Sequence, residues 1–168
     1  MERIAIVGCC GAGKSTLANL LGSKLGLPVI HLDAYYWQPQ WVETSVEEWV
    51  EIQQSLIKGD RWIIDGNYIN TMDLRLKAAD TIIWLDFPRL LCLWRIFQRY
   101  FKYKNTVRPD MADGCIERLN WDFLLYVWNF PDNQKQLMLS KIKKYQHYKR
   151  SIILKNPQQL NSFLSKFE

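Results

Sequence analysis

The stretch Gly8-Cys9-Cys10-Gly11-Ala12-Gly13-Lys14-Ser15-Thr16 constrains this chain more than any other. It matches the pattern G-x-x-x-x-G-K-[ST], which a chain of this length would show by accident with odds of roughly one in 200. Glycines at these spacings let the backbone wrap an anion so closely that main-chain N–H groups point at it, an approach that a Cβ would obstruct. The surroundings agree. Arg3-Ile4-Ala5-Ile6-Val7 is a short continuous apolar run of the kind a buried parallel strand needs. After the loop, Leu17, Leu20, Leu21 and Leu25 recur at helical spacing. The order strand, loop, helix predicts a phosphate-binding loop. In it Gly8, Gly11, Ala12, Gly13, Lys14, Ser15 and Thr16 hold the phosphates of ATP, Lys14 neutralises the β- and γ-phosphates, and Ser15 places its hydroxyl on Mg²⁺. A dinucleotide site fits less well, because Gly11 to Thr16 lacks the last glycine of G-x-G-x-x-G.

Beyond the loop, strand-like and helix-like segments alternate, which predicts an α/β fold with a mainly parallel sheet and helices on both faces. The length, 168 residues, suits one domain spanning 1–168. In open α/β sheets the carboxyl ends of strands face the ligand crevice. Val29-Ile30-His31-Leu32 reads as a strand ending at Asp33, whose carboxylate can orient or deprotonate an acceptor hydroxyl, or hold Mg²⁺ through water. An ordinary turn aspartate is the plainer reading. The strand within Arg61 to Tyr68 carries Asp65 at its end, placed to accept from Ser15 or from a metal-bound water. Between them lies Ala34 to Trp41, too aromatic and proline-broken for a helix, with Tyr36 and Trp37 either walling a substrate pocket or packing under a loop.

Ser45-Val46-Glu47-Glu48 is a capping box, followed by Val46, Trp49, Val50 and Leu56 on one helical face. Arg75, on a short helix, is free to reach an anion or is a solvated surface residue. Asp80 to Asp86 forms a further strand. Pro88 then opens a helix with an apolar stripe of Leu90, Leu93, Trp94 and Phe97. Arg95 and Arg99 share another face of it, suited to a polyphosphate or a stacked base. Periodicity fails from 102 to 114, a basic segment that reads as a lid bringing Arg108, together with Arg118, to a transferring phosphoryl group. Helices over 116–129 and 131–148 meet at Phe130-Pro131. A strand at Ser151 to Leu154 and a helix capped by Asn156-Pro157 close the chain.

The net charge of +5 favours anionic partners, nucleotide phosphates as much as DNA. Lys135, Lys141, Lys143, Lys144, Lys149, Arg150 and Lys155 make the last third basic, but no helix-turn-helix or zinc-finger pattern accompanies them. The four cysteines form no C-x-x-C pair, and Cys9 and Cys10 lie inside the loop, as in a reduced, cytoplasmic protein; oxidation there is expected to block nucleotide binding. There is no signal-peptide pattern and no apolar run long enough for a membrane span.

Taken together, Gly8 to Thr16, His31-Leu32-Asp33 with Trp37 and Trp41, Trp62 to Tyr68, Arg95 with Arg99, Arg108-Pro109-Asp110 and Gly114-Cys115 resemble the P-loop kinases of the adenylate-kinase and shikimate/gluconate-kinase type. The nearer resemblance is to the bacterial DNA topology modulation proteins, which are adenylate-kinase-like. That resemblance implies a P-loop NTPase fold with a five-stranded parallel sheet, Mg-ATP as donor, and arginines of the lid region on the phosphates. Where adenylate kinases carry Gly-Phe-Pro-Arg to hold an acceptor monophosphate, this chain reads Gly66-Asn67-Tyr68. The expected activity is ATP-dependent phosphoryl transfer to a small acceptor, with Lys14, Asp33, Arg95, Arg99 and Arg108 as catalytic residues. Ser15 and Asp65 serve the metal, and Asp33, Tyr36, Trp37 and Arg75 the acceptor. The alternatives are a DNA-associated protein that binds ATP without kinase activity, and a nucleotide switch, for which the Asn-Lys-x-Asp guanine signature is missing.

Overall fold

The computed structural model describes residues 1–167. Its centre is β1 (Arg3–Gly8), whose residues Ile4 to Val7 are buried on both faces and therefore read as one unbroken apolar run. β1 pairs in parallel with β5 (Trp62–Asp65) on one side and β6 (Thr81–Leu85) on the other; Ile4 lies opposite both Ile63 and Thr81. β2 (Val29–His31) extends the sheet beyond β5, and β7 (Arg150–Leu154) extends it beyond β6. The order β2-β5-β1-β6-β7, all parallel, makes the expected α/β sheet of five strands. All five carboxyl ends therefore lie along one edge.

Helices flank this sheet: α1 (Lys14–Leu25), the short α2 (Asp33–Tyr36), α3 (Val46–Leu56), α4 (Met72–Ala78), α5 (Arg89–Tyr103), α6 (Trp121–Asn133), α7 (Lys135–Tyr145) and α8 (Pro157–Leu164). The caps read in the sequence are present: Ser45 Oγ accepts from Glu48 N at 3.3 Å, and Asn156 Oδ1 from Gln159 N at 2.9 Å. At the far edge of the sheet, Asp80 Oδ2 accepts from the amides of Glu2 and Arg3, each at 2.8 Å. Burial opposes ionisation of this carboxylate, but the Thr81 hydroxyl and the two amides outweigh it and hold its pKa below the usual aspartate value.

The structure departs from the sequence reading in several places. Half of the stripe expected inside α5 is turned outward: Leu90 and Trp94 are exposed, whereas Leu93 packs against the core and Phe97 is half-buried; Cys92 and Ile96 are buried, and Arg95 and Arg99 face the crevice. This helix is apolar on more than one side, so its period announced a helix without naming the inner face. Val46 is likewise exposed, but Trp49 of the expected face is buried and Leu56 packs against the core, with Gln53 buried beside them. The break between the long C-terminal helices falls at Gln134, not at Phe130-Pro131. Pro131 lies within α6, where it leaves the Val127 carbonyl without its helical donor, and Cys9 Sγ lies 4.0 Å from that oxygen. Finally, α6 starts at Trp121 rather than near 116, capped by Asn120, whose Oδ1 accepts from Asp122 N at 2.8 Å. Among the described residues no helix is long and apolar enough to cross a membrane.

Candidate active site

The Gly8 to Thr16 loop leaves the end of β1 and turns into α1. Gly11 has φ 80°, and a Cβ there would lie 2.3 Å from the Cys92 carbonyl oxygen of α5, so only glycine fits. Asn67 Oδ1 accepts from Gly8 N at 3.0 Å, fastening the end of β5 to the loop. Lys14 Nζ donates to the carbonyls of Gly8 and Cys9 at 3.0 and 3.1 Å, which lays its ammonium across the loop's own turn.

Asp65, at the end of β5, is the hub of this region. Its Oδ2 accepts from Ser15 Oγ at 2.9 Å, and its Oδ1 from His31 Nδ1 at 2.5 Å. The other ring nitrogen of His31 faces Asn19 Oδ1 at 3.2 Å. Both nitrogens thus meet oxygens, an arrangement that the imidazolium satisfies. Burial by itself lowers the His31 pKa, but the bond to Asp65 and its charge outweigh burial, and the net shift is upward. A hydroxyl and a carboxylate side by side are hard oxygen ligands that suit Mg²⁺. No cluster of three or more metal-ligating side chains occurs among the described residues, so an ion held by Ser15 and Asp65 would need the remaining oxygens from nucleotide and water.

The guanidinium groups are held by a carbonyl of the loop and by two carboxylates. Arg95 Nη1 donates to the Ala12 carbonyl at 2.9 Å, and its guanidinium lies 5.3 Å from the centre of the Phe87 ring. Arg99 Nε donates to Glu117 Oε1 at 3.0 Å, and Arg108 Nε lies 2.7 Å from Glu117 Oε2, a charge contact without hydrogen-bond alignment. Arg108 Nη1 also donates to both oxygens of Asp110, at 3.0 and 2.9 Å. Glu117 is buried and neutralises a helix arginine and a loop arginine together.

Across the cavity, which measures about 1410 Å³, lies Asp33 at the start of α2. Tyr68 donates its hydroxyl to Asp33 Oδ1 at 2.6 Å, and Tyr36 donates to Glu43 Oε2 at 3.0 Å. These two rings are 4.6 Å apart, and Trp49 closes against both. Burial and the Asp33 charge push the Tyr68 phenol far above its usual pKa, so it remains a donor. The stretch expected to be non-helical forms α2, then a small antiparallel ribbon of β3 (Trp37–Gln38) and β4 (Val42–Glu43). Pro39 and the positive φ of Gln40 and Trp41 turn the chain between its strands. Segment 102–114 carries no helix beyond Tyr103, and it is fastened to this ribbon. Gln40 N donates to Gly114 O at 3.2 Å, Cys115 Sγ to Gln38 O at 3.2 Å, and Trp41 Nε1 to Ile116 O at 2.9 Å.

Lys14, Ser15, Asp33, Tyr36, Trp37, Asp65, Arg95, Arg99 and Arg108 all line one cavity. Arg75 does not. It is buried beneath the site: its Nη2 donates to the carbonyls of Gly66 and Asn67 at 3.3 and 2.5 Å, and its Nη1 to Gln53 Oε1. The carbonyls of this turn need donors in the interior, and the guanidinium fork supplies them. Burial lowers its pKa to about 10, so it stays charged at neutral pH. Of the two loop cysteines, Cys9 is buried and Cys10 is half-buried and lines the cavity. Cys9 is buried against Cys92, and its hydrogen bond there together with burial raises its pKa, while burial raises that of Cys10. A raised pKa favours the thiol over the thiolate in both.

The sequence reading missed Asn67, His31 and Glu117. His31 could have been found as the last residue of a strand two positions before Asp33. Glu117 has no local signal, since its partner Arg99 is 18 residues away.

No family model matches this chain, and no curated protein does either. Among solved structures it is similar to a shikimate kinase from Acinetobacter baumannii in complex with shikimate. That likeness has TM-score 0.64 and 17% identity over 99% of this chain and 90% of the other. A gluconokinase from Sinorhizobium meliloti 1021 gives TM-score 0.56 and 14% identity over 99% and 89%. A sugar kinase from Janibacter sp. HTCC2649 gives 0.55 and 16% over 98% and 93%. The fold is that of the P-loop NTPases, in the arrangement found in shikimate kinase and gluconokinase.

Proposed function

We propose that this protein is a phosphotransferase that moves the γ-phosphoryl group of Mg-ATP to a hydroxyl of a small molecule. One observation carries the reading: Lys14 and the Ser15–Asp65 pair share a cavity with Asp33, which stands on a different strand end. A phosphate-binding loop alone serves switches and motors as well as kinases. A carboxylate near the transferring group, at a strand end beside an aromatic wall, is what an acceptor hydroxyl needs.

In this reading the loop amides and Lys14 bind the β- and γ-phosphates, and Ser15 and Asp65 hold Mg²⁺, which supplies positive charge to those phosphates. Asp33 aligns the acceptor hydroxyl and takes its proton while the new O–P bond forms and the bond to the ADP oxygen breaks. Arg95, Arg99 and Arg108 offset charge on the moving phosphoryl group, and almost all of the rate gain comes from positioning and such neutralisation. The chain works as one kinase-like domain over 1–168, with 102–114 as its lid. That segment is tied to the β3–β4 ribbon through the Gln40–Gly114 and Cys115–Gln38 hydrogen bonds.

The DNA-associated alternative, suggested by the resemblance to topology modulation proteins, has less support. Lys135 pairs with Asp86 at 2.8 Å, Lys141 with Asp73, and Lys149 Nζ donates to the Lys77 carbonyl at 2.8 Å, so part of the basic C-terminal third is engaged within the protein.

The test is a pair of variants. Lys14→Ala is expected to lose the thermal stabilisation that wild type gains from a non-hydrolysable Mg-ATP analogue. Asp33→Asn is expected to keep that stabilisation and lose roughly 100-fold or more in acceptor-dependent ADP formation. Acceptor-independent phosphate release that survives Asp33→Asn at full rate would instead mark an ATPase.

A further inference from the structure

The acceptor end of the cavity has a charge character that the donor end lacks. Asp33 and Glu43 each hold the hydroxyl of one of two touching tyrosines, Tyr68 and Tyr36, so both carboxylates are anchored on the same aromatic wall. Trp37 meets Tyr36 edge-on at 5.0 Å and Trp41 at 5.4 Å. The cation that the sequence placed here, Arg75, is withdrawn beneath the floor with its donors spent on main-chain carbonyls and Gln53. Arg99 and Arg108 are neutralised by Glu117 and Asp110. Arg118 reaches the rim, where its guanidinium lies 5.1 Å from the centre of the Trp41 ring. An acidic group brought to this wall would therefore face two carboxylates, while Arg99 and Arg108 are already paired with carboxylates of their own, and like charges at close range are strongly disfavoured.

From this arrangement we infer that the acceptor is a hydroxyl compound free of carboxylate and phosphate groups, carrying a planar or apolar face that lies on the Tyr36–Tyr68 wall. This rests on the phosphotransferase reading and narrows it. The likeness to a shikimate kinase and a gluconokinase concerns the fold, and the wall just described points to an acceptor of different charge. Aromatic faces beside carboxylates also accept a positive charge on the ligand, so amines belong to the permitted class.

Matched compounds that differ mainly in charge test the inference: adenosine against AMP, and glucosamine and glucose against gluconate. Each is measured with the full chain and a non-hydrolysable Mg-ATP analogue by thermal shift, then with ATP by ADP formation. At least one compound free of acidic groups is expected to stabilise the ternary complex and to support turnover, with its acidic counterpart about tenfold weaker or worse. Comparison of amine with neutral sugar separates a cationic from an uncharged acceptor. Glu43→Gln is expected to narrow the preference, and Glu43→Lys to reverse it; wild-type Tm in the absence of compounds confirms that either variant is folded. Equal or better binding of the acidic members overturns the inference, as does a panel in which no compound free of acidic groups binds. The phosphotransferase reading fails separately, through loss of any Lys14-dependent response to the ATP analogue.

Discussion

The two ends of the cavity are built by different means. At the proposed donor end the shape is main chain: a loop between β1 and α1, closed against the Cys92 carbonyl and tied by Asn67 to the neighbouring strand. At the proposed acceptor end the shape is side chain: tyrosines and tryptophans from the four-residue α2, the two-stranded ribbon, α3 and the turn after β5, held by contacts to one another. Main-chain geometry serves any nucleoside triphosphate and tolerates few substitutions. A side-chain wall can be re-cut one residue at a time, so a fold of this kind can keep its donor while its acceptor changes.

The sharpest way to break this contrast is Gly11→Ala. With φ at 80° and a carbonyl oxygen 2.3 Å from the new Cβ, the loop must shift, and a loss of about 3 kcal/mol in stability together with nucleotide binding is expected. Trp37→Leu, at the other end, is expected to cost only about 1 kcal/mol and to leave the response to an ATP analogue intact. Denaturant unfolding with and without the analogue measures both, and an unaffected Gly11→Ala loop would end the distinction.

Next in size is Glu117→Ala, at the carboxylate that pairs with Arg99 and Arg108. Removing the carboxylate leaves Arg108 buried without one of its partners, and about 3 kcal/mol of destabilisation is expected. Glu117→Gln, which keeps the shape, should fall between the two in urea unfolding.

The smallest effect lies outside the cavity and serves as the reference. The depressed pKa of Asp80 means that its stabilisation is present above the unfolded aspartate value, near 3.9, and is lost as pH falls through the lower folded value. Asp80→Asn should therefore lower stability by about 1 kcal/mol at pH 7, with the gap to wild type closing below about pH 4. Tm measured across that range, with ligand responses unchanged, would show that changes away from the cavity leave both ends alone.

The contrast also explains which parts of the molecule the sequence made legible. The loop, β1 and the Ser45 cap were readable because each depends on neighbours within a few residues, and Asp65 because it ends a short apolar strand. Donor geometry is local, and local geometry leaves a motif. The inner face of α5 was not readable, since Leu90 and Trp94 are as apolar as Ile96 and the choice was made by what the sheet edge required. Arg75 misled for a related reason. Charge announces a surface residue, yet the carbonyls of Gly66 and Asn67 needed a buried donor, a demand visible only once the turn is folded. The pairings of Glu117 with Arg99 and of Glu43 with Tyr36 were not readable either, because folding brings the partners together.

Asp65 has a consequence for how such a site can vary. A single carboxylate joins the first turn of α1, the end of β2 and the end of β5 through Ser15 and His31. Replacement of either partner changes what the other is worth, so the energetic effects of substitutions at 15, 31 and 65 will not add. Inheritance would then act on the trio as one character: drift at any one position is penalised until the others follow, and a combinatorial library over the three should show strong epistasis where libraries over distant surface sites show none.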